Sequence, residues 1–538
     1  MTTMRTRILI AVTVLSVLGA LSAPASAHNE GIPSAPTSIK NMEHVQNVPN
    51  LSGNALDFFE RKLTDGTIKR YAVAATQGNG FDILDVTEPA HPATVGRYLL
   101  PGNDPNKISQ SSAGSNFHAW VSVNPVRNIV ALTIEEGVNG VPAGHALRHN
   151  GSVGIQFVDI SDVTNPKPLG KIDGLDGPHT VRMIGDNYAY TSLNTYVVDY
   201  TDPMNPKYTK KGIEGHEFYE DPNIPGRMYV GLAASAVGKW GTFNISSPGD
   251  PAKIGDLSDT RIVAAHEVYP APDSSYVGVS DFTTGQSDAS CPGGGLYFYD
   301  ISGKRVSGAS VSNPAKLGLW HAPFTGLAPD GTQSTPNYAS CALHSWQHQP
   351  ERSLAVAGLY AGGTWVFDPS GPTKTGGAYA EYTGVRGKTS WGNTLANVRD
   401  AADYVNATQW LPFDMATPDQ ERLIYVNGWG RGLDVYRYTG PLPAKQSRVT
   451  VDSQTTGGAV TGTLERFAVL TYQGWRNLPL ADKTVQVTAG GQTVTAVTRA
   501  DGSFAAPIAL GAGANSVTVR WAGDDRFAPS EATRTVTN

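Results

Sequence analysis

Residues 81–89 read FDILDVTEP, an apolar β-rich run with an aspartate near its end, closing on proline. The phrase returns as QFVDISDVTNP (156–166), YVVDYTDP (196–203), WGTFNISSP (240–248), LYFYDISG (296–303), WVFDPSGP (365–372) and LDVYRYTGP (433–441). A unit that recurs in this way sets the architecture before any other feature. Seven copies predict an all-β chain with a seven-bladed β-propeller over residues 42–440.

Reading outward from each copy, four strand-like runs fall in order. In the fifth unit they are AHEVYP (265–270), SYVGVSD (275–281), GLYFYDIS (295–302) and AKLGLW (315–320). The last unit has only three such runs, and MEHVQNV (42–48) is predicted to supply its fourth. The repeated Asp sits where the chain turns after the third run, and its carboxylate can accept backbone N–H groups there. Asn244 and Arg437 stand in its place in the fourth and seventh units.

Beyond a short stiff linker (441–448) the pattern changes. Residues 449–538 hold short alternating strands, with Gly490-Gly491 and Asp501-Gly502 as hairpin signals, and predict an Ig-like β-sandwich.

The units ending in VDIS or a variant resemble the LVIVD-repeat family of bacterial secreted propellers, over residues 42–440. LADKTVQVTA (480–489) and WAGDDRFAPS (521–530) resemble the Ig-like domains appended to bacterial surface and secreted proteins. The first resemblance implies a fold and little about activity. The second implies a spacer or adhesion role.

Arg5 and Arg7 precede an apolar run from Ile8 to Leu21, and Ala25-Ser26-Ala27 has the small-x-small form of a cleavage site. Residues 1–27 therefore predict a signal peptide cleaved after Ala27, with the mature chain secreted and residues 28–41 a flexible leader. No later run is long and apolar enough to span a bilayer as a helix. Charged residues make up 16% of the chain and the net charge is −6, which argues against nucleic acid or anionic lipid as partner. The partner expected instead is an extracellular protein, a glycan or a small molecule. The two cysteines, Cys291 and Cys341, read as one disulfide in an exported protein; two free thiols are the alternative.

A histidine opens the first strand of five units: His118, His179, His216, His266 and His344. The matching residue of the first unit is Asp57, and of the last Thr408 or Gln409. In a propeller these strands line the central channel, so the side chains would converge on one axis. Neutral imidazole binds transition metals well, and His179, His216 and His266 form the candidate metal set. Strand alternation turns Glu217 and Glu267 away from the histidines, as supporting partners rather than ligands. The competing reading makes the histidines packing residues that bond backbone carbonyls.

No nucleophile elbow, phosphate-binding Gly loop or HExxH motif is present in the sequence. Two functions follow. One is a secreted binding module with a histidine-lined channel. The other is a metal-dependent extracellular enzyme of copper or zinc type, with a transition metal ion as cofactor.

Overall fold

The computed structural model describes residues 38–49, 51, 53, 55–76, 80–100, 120–134, 154–175, 178–192, 195–211, 213, 215–232, 238–260, 262, 264–282, 295–320, 343–359, 363–373, 393–399, 405–428 and 431–538. His118, Cys291 and Cys341 lie outside these, so the disulfide expectation falls on residues not described.

Each copy of the repeated phrase is the third strand of an antiparallel sheet. The first sheet runs Leu56–Lys62, Ile68–Thr76, Gly80–Asp85, Ala93–Leu99, each strand bonded to the next in sequence. The same order holds in the sheets that start at Val121, Val181, Glu217 and Ala265. The sheet starting at Leu343–His348 gains Ser38–Lys40 as a fifth strand.

The repeated Asp side chain does the same job in copy after copy. Asp85, Asp159, Asp199, Asp300 and Asp368 each accept, through Oδ1, the N–H two residues on, at 2.7–2.8 Å. Asn244 makes the equivalent bond to Ser246 N at 2.9 Å. An Asx turn needs only a side-chain oxygen at that reach, so amide replaces carboxylate without loss. Arg437 cannot accept, and pairs instead with Glu43 at 2.8 Å.

Met42–Val48 pairs with Gly432–Tyr438 and so joins the start of this region to its last strand. Hydrophobic cores lie between consecutive sheets. Phe59, Val73 and Ile83 of the first pack with Val121, Val130 and Val158 of the second.

Strand pairing nevertheless corrects the expected architecture. Among the described residues it gives ten separate small antiparallel sheets, and none closes into a barrel, a solenoid or a propeller. The seven-bladed β-propeller followed by an Ig-like β-sandwich is replaced by an all-β assembly of open sheets. The physical reason is that a repeated strand-turn phrase specifies pairing within one sheet. It carries no information on how separate sheets are arranged.

Residues 447–537 contribute sheets of three, two and four strands. Gly490 and Gly491, at φ 55° and 80°, make the tight turn between Thr484–Ala489 and Gln492–Val497. Asp501-Gly502 does not close a hairpin between sequence neighbours. It passes the chain to Ser503–Ala506, which pairs with Val460–Arg466 in another sheet. One core shared by Val449, Leu464, Val487, Phe504, Val519 and Trp521 holds the three- and four-stranded sheets together.

The stretch expected to be a linker is anchored. Lys445, 1% exposed, places Nζ 2.7 Å from both Glu351 and Glu421. Further on, Leu470 N donates to Pro412 O at 2.8 Å and Ala468 N to Asn223 Oδ1 at 3.2 Å. Among the described residues no helix is long and apolar enough to cross a membrane.

His348 closes the strand Leu343–His348, packed against Trp346 and Tyr276 with ring centroids 5.1 and 5.6 Å away. Burial pushes its pKa down from 6.5 to about 3, against the opposing pull of Asp273. Asp273 is itself paired with Lys304 at 3.1 Å, and Arg305 lies over the Tyr276 ring. The folded ring therefore stays neutral where the unfolded one is protonated, so the unfolded state binds more protons between pH 6.5 and about 3. Stability contributed by neutral His348 is intact above pH 6.5 and falls by about 1.4 kcal/mol per unit below it. Urea unfolding at a series of pH values should show this slope, reduced in His348→Gln. An unchanged slope in the variant would show that His348 is not its source.

Candidate metal centre

Four of the expected histidines come together in chain order. Ring centroids are 4.9 Å apart for His179 and His216, 4.0 Å for His216 and His266, and 4.6 Å for His266 and His344. Phe282 packs against this row, 4.5 Å from His266 and 5.5 Å from His344. His216, His266 and His344 are buried, and His179 is half-buried.

The backbone explains why the rings meet. His216 N donates to Gly231 O at 2.7 Å, and Thr180 Oγ1 donates to His216 O at 2.6 Å. Gly231 in turn lies against the next strand. A Cβ at Gly231 would stand 2.1 Å from His266 O, so only glycine lets the His266 backbone approach.

Within the row, one group has metal-site geometry. A ligand atom from each of His216, Glu217 and His266 lies within 4.8 Å of the other two, and all three residues are buried. The sequence expectation placed His179 in this set and turned Glu217 away. The structure puts Glu217 in the third place, because regular alternation begins only with the strand Glu217–Glu220 and His216 precedes it. The clue in the sequence was the His-Glu pair, present at 216–217 and again at 266–267.

Glu217 Oε1 is buried and accepts no hydrogen bond; the ring Nδ1 of His216 is 3.5 Å away. Burial, then the neighbouring Glu267, push the Glu217 carboxyl well above the usual range, with Arg182 opposing. Glu267 is better satisfied. It accepts Trp346 N at 2.7 Å and the Tyr219 hydroxyl at 2.8 Å, although burial still lifts its pKa to about 8.

Two imidazoles and one carboxylate make a donor set suited to a catalytic zinc or a related transition metal. The protein thus has a His/Glu/His cluster able to coordinate a metal ion. The underused carboxylate oxygen fits that role, since a cation would favour its ionised form.

Asp57 does not join the histidines. Its Oδ2 accepts Val123 N at 2.9 Å and lies 3.8 Å from Arg182. Glu267 bonds Trp346 N and Ser345 Oγ accepts Thr408 N at 3.0 Å in the same way, each tying its strand to the next sheet's first strand. Asp57 is thus the counterpart of the residue after each histidine. The sequence alignment of the first unit was one position out. In the last unit, where Thr408 or Gln409 was the candidate, Gln409 donates to Leu56 O at 3.0 Å.

The LVIVD-repeat family model matches residues 70–99. The resemblance expected over 42–440 is corrected to that one stretch, which is too small a part of the chain to show membership. No curated protein matches the chain. Among solved structures, a protein from Lactobacillus plantarum is 11% identical, covers 84% of this chain and 98% of its own, at a TM-score of 0.39. Sqt1 from Chaetomium thermophilum is 14% identical, with coverages of 66% and 95% and a TM-score of 0.38. Likenesses at this level carry no argument about fold or activity.

Proposed function

We propose that this protein is a metal-dependent enzyme of copper or zinc type, with His216, Glu217 and His266 as the ligands. The observation that carries this reading is the buried three-residue cluster with ligand atoms within 4.8 Å. The alternative of a binding module built on a histidine-lined central channel is set aside, because among the described residues no sheet closes to enclose one.

A metal ion held by three protein ligands keeps a coordination position open and can act as a Lewis acid or lower the pKa of a bound water. The chain's own residues supply the rest. His179 and His344 flank the ligands, Phe282 packs against the rings, and Glu267 tethers the strand that carries His266. We further propose export of the chain by residues 1–27, with His28 as the mature N-terminus.

The test loads the mature chain with Zn(II) or Cu(II), removes free ion by gel filtration and measures bound metal by mass spectrometry. About one ion per chain is expected, falling to about a tenth or less in His216→Ala/His266→Ala. Near-UV circular dichroism confirms that the variant is folded. No uptake of either metal, or full uptake by the folded double variant, overturns the proposal. Intact mass of the secreted chain checks cleavage before His28.

A further inference from the structure

A second site lies beside the metal cluster and does not depend on it. A cavity of about 310 Å³ is lined by Asp57, Arg182, Tyr219, Tyr269, Gln347 and, from the C-terminal part of the chain, Trp475. Its walls come from the first strands of several sheets. The hairpin Val469–Thr471 and Gly474–Arg476 adds Leu470, Gly474 and Trp475 to its lining.

We infer that this cavity binds a neutral sugar, a monosaccharide or disaccharide. Three observations select that class. First, Gln347 is 7% exposed, and its Oε1 has no hydrogen-bond partner while its Nε2 lies 3.4 Å from the Tyr269 hydroxyl. A buried acceptor of this kind calls for an O–H or N–H donor.

Second, charges of both signs line the wall. Arg182 supplies N–H donors but faces Asp57 at 3.8 Å, and its guanidinium lies 5.6 Å over the Tyr219 ring. An anionic ligand would meet Asp57, Asp186, Glu220, Asp221 and Glu267; a cation would meet Arg182. Hydroxyl groups both donate and accept, so a polyol satisfies guanidinium, carboxylate and amide without adding a charge.

Third, the aromatic surface suits a ring with an apolar face. Tyr219 and Tyr269 lie 5.1 Å apart at 66°, and half-buried Trp475 adds a further ring at the cavity wall. Flat aromatic faces with a few placed polar groups are how small-molecule pockets fix orientation. The volume admits one or two sugar rings by the usual pocket scale, at its small end.

Saturation-transfer NMR of the full mature chain tests this with glucose, galactose, mannose, N-acetylglucosamine, maltose and cellobiose as probes. At least one should bind, and glucuronate and glucosamine should bind at least about tenfold more weakly than the best neutral probe. Gln347→Leu and Trp475→Ala should each raise Kd at least about tenfold. Trp475 sits on a hairpin at the cavity edge, so its variant stays informative if Gln347→Leu fails to fold. The inference is overturned if none of the six neutral sugars binds, if a charged analogue binds as tightly, or if the folded variants bind as well as the parent.

Discussion

Replacing Glu351 with alanine is expected to lower the unfolding free energy by about 3–5 kcal/mol in urea titrations. Glu351 is 3% exposed and is the hub of a buried ionic network. Its Oε2 lies 2.7 Å from Lys445 Nζ, and its two oxygens accept Arg466 Nε at 2.6 Å and Nη2 at 2.8 Å. Lys445 also pairs with Glu421, which is bonded by Arg352, and Arg466 pairs with Asp414 at 2.6 Å. Burial alone would lower the Arg466 pKa, but Glu351 and Asp414 outweigh it and hold the group above its ordinary range. Removing Glu351 therefore leaves buried Lys445 and largely buried Arg466 with one carboxylate partner each instead of two. Breaking one partner of such a network is costly even where the whole network is worth little against an apolar core.

Glu351→Gln should fall between parent and Glu351→Ala, because the amide oxygen still accepts one bond. A loss below about 1 kcal/mol in Glu351→Ala would mean that the network relaxes into solvent like a surface pair. Hydrogen exchange should locate the damage at residues 443–470, since Gln446 N also donates to Glu351 O at 2.7 Å.

The second large effect is expected from one methyl group. In Gly231→Ala the new Cβ would sit 2.1 Å from His266 O and 2.7 Å from Ala265 O. Both are backbone atoms of a paired strand and cannot swing aside as a side-chain end would. Overpacking of this kind costs about 1–3 kcal/mol. The strand that has to move carries His266, so the stability loss should come with at least about tenfold weaker metal uptake. Gly511→Ala is the control. Its Cβ would meet nothing nearer than Asn515 Oδ1 at 3.5 Å, so neither property should change. A Gly231→Ala protein that unfolds earlier yet binds metal as before would separate the glycine from the site.

These two expectations draw on different kinds of information. Glu351, Lys445 and Arg466 are far apart in sequence and belong to no motif, and nothing in their neighbours marks them as partners. The histidine series was legible because each member opens the first strand of a repeated unit. The third ligand was not, because strand alternation was applied one residue too early at His216. Asp57 was misplaced by one position for a related reason. A repeat without its histidine offers no marker of register, and a slip of one residue exchanges a ring-facing position for an inter-strand one.

What the sequence determined by itself is local. The Asx turn at Asp85 and its counterparts, the four-strand order of each unit and the Gly490-Gly491 turn all follow from side-chain oxygens, β-branched runs and glycines acting within a few residues. What only the tertiary structure decided is which units share a surface. It gave open sheets where a closed ring was expected, grouped Glu217 with His216 and His266, and brought Trp475 to the cavity that Asp57 and Arg182 line. Those juxtapositions depend on packing and charge between residues tens to hundreds of positions apart, and a repeated phrase of about ten residues carries no term for them.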